Sequence, residues 1–115
     1  MSKSLSYMYT GTKGYIINIA SNLPQTGSDL TNIGWINISH PAQANMGSFT
    51  YKDPTTGLKI RYDTPTPGEN GFKGKNHFHI LNPNATNARN MYLDIHGNPV
   101  AKNCKASHIL PKERD

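Results

Sequence analysis

Two alternating segments joined by a Pro-Thr-Thr-Gly loop constrain this chain more than any other feature. Phe49 to Asp53 precede Pro54-Thr55-Thr56-Gly57, and Leu58 to Asp63 follow it. Alternate residues of a strand point to the same face. A four-residue Pro/Gly loop between two such runs predicts a β-hairpin. In the second arm Leu58, Ile60 and Tyr62 share one face, and Lys59, Arg61 and Asp63 share the other. The period returns in His77 to Asn82, a third strand. There Phe78 and Ile80 face a core, while His77 and His79 face an open surface or cleft. Met91 to Ile95 reads as a fourth strand, set off by the turns Asn82-Pro83-Asn84 and His96-Gly97-Asn98-Pro99. A short end segment, Ala106 to Leu110, carries Ser107 and His108.

The region before the hairpin is mixed. Residues 1–13 show no clear period and read as a flexible lead-in. Gly14 to Ala20, rich in β-branched residues, reads as a short strand. Pro24 to Gly27 breaks the chain. Ser28-Asp29 resembles a helix N-cap, with Leu30, Ile33 and Trp35 following and Gly34 ending the helix early. The 115 residues suit a single domain over 1–115. Apolar residues are only 35% of the chain, and ten Gly and eight Pro imply many turns between modest core segments. The expected fold class is α+β: a short N-terminal helical part followed by a twisted antiparallel β-sheet with one face open. No apolar run is long enough for a membrane span or a signal-peptide core, and no basic amphipathic helix is visible. Cys104, the single cysteine, excludes an intramolecular disulfide and a cysteine-rich zinc site, and is given no role.

Chemistry concentrates around the histidine pair. His77 and His79 follow Gly71-Phe72-Lys73-Gly74-Lys75-Asn76, and the chain carries a net charge of +5. A basic domain of this size suits an anionic partner. Histidines beside fixed cations suit cleavage of a phosphodiester without metal: a base for the 2′-hydroxyl, an acid for the leaving oxygen, cations for the phosphorane. His77, His79 and His108 are the candidate proton-transfer groups. Arg61 can clamp phosphate in bidentate fashion, and Lys73, Lys75 and Ser107 are candidate substrate contacts. Dependence on the 2′-hydroxyl selects RNA over DNA. No cofactor is expected. Arg61 alternating with Asp63 also fits an ordinary solvated hairpin face. A metal reading places His77 and His79 with His96, His108 or Asp94, but neighbouring lysines oppose a second cation. His40 reads as a loop histidine, Trp35 as core, and Tyr51 and Tyr62 as core or base-stacking residues. No P-loop, dinucleotide glycine fingerprint or nucleophile elbow is present.

The succession Thr56-Gly57-Leu58-Lys59-Ile60-Arg61-Tyr62-Asp63, then Pro67-Gly68 and Gly71 to Pro83, resembles C-terminal toxin domains of bacterial polymorphic toxins, including tips of contact-dependent growth inhibition and Rhs-type proteins. Tyr92 to Val100, Ala106-Ser107-His108-Ile109, and upstream Gly34-Trp35 and Ser39-His40-Pro41 extend it over roughly residues 28–111. Asn76 stands where an aspartate is frequent, and Asn103-Cys104 where Gly-Ser is common. The resemblance implies a small nuclease, most often a ribonuclease with transfer RNA among its candidate substrates. It implies a barnase/EndoU/colicin/RelE-like fold, with Arg61, His77, His79 and His108 in or near the site. It also implies that the chain is the C-terminal part of a larger secreted protein. That protein would be delivered to the cytoplasm of a rival cell and blocked by a cognate immunity protein, which the charge argument makes acidic. The competing classes are a metal-dependent DNA nuclease and a non-catalytic RNA- or protein-binding module.

Overall fold

A computed structural model of the chain describes residues 13–112. Three short helices are present among them: α1 over 13–21, α2 over Ser28–Thr31 and α3 over Pro41–Asn45. The strands are β1 (Ile36–Asn37), β2 (Ser48–Lys52), β3 (Lys59–Asp63), β4 (His77–Leu81), β5 (Tyr92–Leu93) and β6 (Pro99–Val100). They form one antiparallel sheet in the order β1-β2-β3-β4-β5-β6, an open meander in which each strand pairs with its neighbour in sequence. The α+β class read from the sequence is the observed one. The lead-in falls almost wholly outside the described residues. Among those residues no helix is long and apolar enough to cross a membrane.

The hairpin forms as its alternation requires. Ser48 pairs with Asp63 and Lys52 with Lys59, and Gly57 takes a positive φ of 81° inside the connecting loop. The apolar face of the sheet is built from Tyr51, Ile60, Tyr62, Phe78, Ile80 and Leu93. Ile16, Ala20, Leu23, Leu30 and Trp35 cover it. Gly27 lies so close beneath this layer that a Cβ there would meet Tyr51 Cε2 at 2.6 Å and Tyr62 Cβ at 2.8 Å. The residue that leads into α2 must therefore be glycine. It is also the N-cap, so Ser28 is the first helical residue rather than the cap. Gly34, at φ 101°, ends this region as expected.

One expectation fails outright: Gly14 to Ala20 is helical, not extended. Ile16, Ala20 and Leu23 are buried while Ile17 is exposed. That is helical spacing, whereas a strand would have grouped Tyr15, Ile17 and Ile19 on one face. Packing against the sheet overrides the weak β preference of the isoleucines. A smaller correction concerns the fourth strand, which is only Tyr92–Leu93 because Asp94 opens a turn. The Asp94 Oδ1 accepts from the backbone N–H groups of His96 and Asn98, both at 2.9 Å.

The end segment completes the sheet. Ile109 bridges to Phe78, its N–H donating to Phe78 O at 2.9 Å and its carbonyl accepting from Phe78 N at 2.7 Å. β4 is thus flanked by β3 on one side, and by β5 and then residue 109 on the other. This docking carries His108 onto the polar face of the sheet.

Candidate active site

Register decides which side chains meet. Asp63 lies opposite His77 and Arg61 opposite His79 across β3 and β4. Directly opposed residues of an antiparallel pair have neighbouring Cβ atoms on one face. Tyr92, opposite Leu81, joins the same face from β5. Arg61, Asp63, His77, His79, Tyr92 and His108, with Lys73, Lys102 and Asn103, line a cleft of about 350 Å³. A second cleft of about 610 Å³ adjoins it. That cleft shares Arg61, Asp63, Lys73 and His77, and is bounded on its far side by Gln43, Met46 and Glu69.

Asp63 is the hub. Its carboxylate accepts from Arg61 Nε at 3.0 Å, Arg61 Nη2 at 2.8 Å and Ser48 Oγ at 2.9 Å. His77 Nε2 lies 3.1 Å from Asp63 Oδ2 and His79 Nε2 lies 3.6 Å away. Burial alone would raise its pKa, but the hydrogen bonds from His77 and Arg61, with His79 close by, hold the carboxyl far below the usual carboxylate range. Arg61 is held at its other end, where Nη1 donates to Tyr92 Oη at 2.7 Å.

The three histidines are not equivalent. His77 Nδ1 lies 2.9 Å from Phe72 O and 3.1 Å from Lys75 O. Both ring nitrogens therefore face acceptors, which an imidazolium satisfies and a neutral ring does not. Burial pulls its pKa down, but Asp63 and the two carbonyls outweigh that and hold it above the ordinary value. His79 is 1% exposed, and its Nδ1 has no hydrogen-bond partner. Burial first, with the Arg61 and His77 charges adding to it, pushes its pKa down against the pull of Asp63. His108 is half-buried, with its ring stacked on Phe72 at 4.6 Å. Its Nδ1 lies 3.1 Å from Cys104 O, which places the neutral ring's proton on Nδ1 and leaves Nε2 with the lone pair. The His108 ring is 5.0 Å from that of His77 and 4.6 Å from that of His79.

The structure therefore gathers Arg61, His77, His79, His108 and Lys73 into one place. Of the open surface or cleft expected for His77 and His79, the structure shows the cleft, with both imidazoles largely buried in its wall. Two other side chains stand apart from where the sequence reading put them. Lys75 is exposed and outside the lining of both clefts, and only its carbonyl bears on the site. Ser107 is fully buried, and its hydroxyl donates to Cys104 O at 2.8 Å. It supports His108 instead of facing a substrate.

His96 and Asp94 lie in their own turn and do not join the cluster. One ring nitrogen each from His77, His79 and His108 lies within 4.8 Å of the other two. His40 is the N-cap of α3, its Nδ1 accepting from Ala42 N at 3.1 Å. Asn76 is structural: its Oδ1 accepts from Tyr62 Oη and its Nδ2 donates to Gln25 O.

Sequence reasoning missed Asp63, Tyr92 and Lys102 as parts of the site. Asp63 was reachable, since alternation with Arg61 puts it on the polar face. Tyr92 and Lys102 carry no local signal.

Such a site defines a class in structural terms: an α+β domain whose open antiparallel meander holds a cationic, histidine-rich cleft. Among known proteins, no family model, no curated protein and no solved structure matches this chain.

Proposed function

We propose that the chain is a ribonuclease that cleaves RNA by histidine acid–base transesterification, with no metal in the chemistry. In this reading it is the toxin tip of a polymorphic toxin, barnase/EndoU/colicin/RelE-like in fold, and is restrained by an acidic immunity protein. One observation carries the catalytic part. Within one cleft, His77 has both nitrogens set against acceptors while His108 has one nitrogen held and the other unclaimed. Such a pair supplies an acid and a base at once.

In this reading His108 Nε2 takes the proton of the 2′-hydroxyl. The freed oxygen attacks phosphorus, and the bond to the 5′-oxygen breaks as His77 Nε2 gives that oxygen a proton. Arg61 and Lys73 balance charge on the non-bridging oxygens. Asp63 keeps His77 protonated and, with Tyr92, fixes Arg61. The products are a 2′,3′-cyclic phosphate and a 5′-hydroxyl. The donor set favours protons over a hard cation. Among the described residues Asp63 is the only carboxylate lining the imidazole cleft, and magnesium or calcium sites are built from several oxygens.

The test is incubation of purified protein with total RNA and with DNA, each with and without EDTA. The expected result is RNA cleavage that survives EDTA, leaves cyclic phosphate ends, and falls at least about 10²-fold in His108→Ala and in His77→Ala. DNA cleavage abolished by EDTA would sink the proposal in favour of a metal nuclease. Salt-sensitive RNA binding without cleavage would leave a binding module.

A further inference from the structure

We infer that His77, His79 and His108 also form a binding site for Zn²⁺ or an ion of its class, and that its occupancy silences the cleft. The site is carried by geometry. In a tetrahedral zinc site with bonds of about 2.0–2.2 Å, neighbouring ligand atoms stand about 3.3–3.6 Å apart. Asp63 Oδ2 is already 3.1 Å from His77 Nε2 and 3.6 Å from His79 Nε2. The third imidazole offers its nitrogen within 4.8 Å of the other two. The three imidazole nitrogens form the ligand set, and the Asp63 carboxylate stands beside two of them.

The surroundings of the rings point the same way. Imidazoles that ligate metal donate their other N–H to a carbonyl or carboxylate, which fixes the ring. His77 Nδ1 has the carbonyls of Phe72 and Lys75, and His108 Nδ1 has that of Cys104. His79 is almost completely buried, and its Nε2 comes no closer than 3.6 Å to Asp63, which leaves that lone pair available to an ion. Nitrogen-rich donors of this kind select zinc, copper or nickel over magnesium and calcium. Arg61, Lys73 and Lys102 oppose a cation here, but Arg61 already spends its charge on Asp63. The site is therefore a reversible one.

The inhibitory part rests on the ribonuclease reading above. An ion on His108 Nε2 takes the lone pair that the base needs, and an ion on His77 Nε2 takes the place of the acid's proton. Zinc is an inhibitor of this cleft, not its cofactor.

EDTA-treated and desalted protein is titrated with Zn²⁺ in a calorimeter and with Co²⁺ in a spectrophotometer. One equivalent of each is expected, with the visible bands of a four-coordinate cobalt site. His108→Ala, checked by circular dichroism for its fold, should weaken binding at least 10-fold, and His40→Ala and His96→Ala should leave it unchanged. No stoichiometric binding, or equal binding by His108→Ala, overturns the site. Zinc that binds at one equivalent without slowing RNA cleavage overturns the inhibition alone. Absence of RNA cleavage under every condition defeats the ribonuclease reading, while the calorimetry still decides the site.

Discussion

Asp63 couples Arg61 to the paired histidines of β4, and its charge and its shape can be separated by one substitution. Asp63→Asn keeps the outline and removes the anion that faces Arg61 and His77. Losing one partner of a half-buried ion pair strands the other charges. The expected outcome is a loss of about 2–3 kcal/mol in denaturant unfolding and a drop in RNA cleavage of about 10²-fold or more. Unchanged cleavage in a correctly folded variant would reduce Asp63 to scaffolding. At this scale the sequence was legible wherever chemistry and period coincided. His77, His79 and Arg61 declared themselves through alternation, and His108 through residue type. Ser107 misled because a hydroxyl beside a histidine looks the same whether it faces substrate or a backbone carbonyl. Lys75 follows the 3₁₀ turn Gly71–Gly74 in extended backbone, and its side chain is exposed outside both clefts while Lys73, inside the turn, lines them.

Elements explain why the polar face could be read and α1 could not. β3 and β4 announce their register through period two, and β2 follows from the loop before β3. The α1 segment has a β-like composition, and Ile16 and Ala20, one helical turn apart, are too few within it to set a period against that preference. β1 and β5, two residues each, are too short to show any period. The helix is tied to the hairpin by one polar contact: Tyr15 Oη donates to Asp53 Oδ2 at 2.7 Å and lies 3.0 Å from Thr56 Oγ1. Burial and the neighbouring carboxylate push the Tyr15 pKa up from 10.0 to about 12. A group whose folded pKa is raised stabilises the fold fully below its unfolded value and loses that contribution as pH rises through the folded one. The fold should therefore weaken between pH 10 and about 12. Tyr15→Phe should cost about 1–2 kcal/mol at pH 7 and remove that alkaline component. Urea unfolding across this pH range checks both, and an alkaline slope unchanged in Tyr15→Phe would assign it elsewhere.

Across the whole molecule, charge and topology set how the cleft meets its partners. If the proposed ribonuclease reading holds, a net charge of +5, with Lys73 and Lys102 at the cleft, should make RNA association fall with salt. Lys73→Ala should flatten the slope of log K against log salt by about one. Fluorescence anisotropy with a short RNA between 50 and 300 mM salt measures it, and an unaltered slope would remove Lys73 from the phosphate path. The same field favours an acidic inhibitor seated over the imidazoles. An inhibitor that is basic, or that binds while RNA remains bound, contradicts that expectation.

The Phe78–Ile109 bridge joins the end segment to a strand formed much earlier in the chain. His108 reaches the other imidazoles through that pairing, so the three rings come from segments that meet only by non-local closure. Loop-closure entropy is overcome last for such contacts. Until 105–110 docks, the chain has the paired histidines of β4 but no third ring beside them. On the ribonuclease reading proposed above, activity would then wait on that last closure, a dependence set by folding order alone.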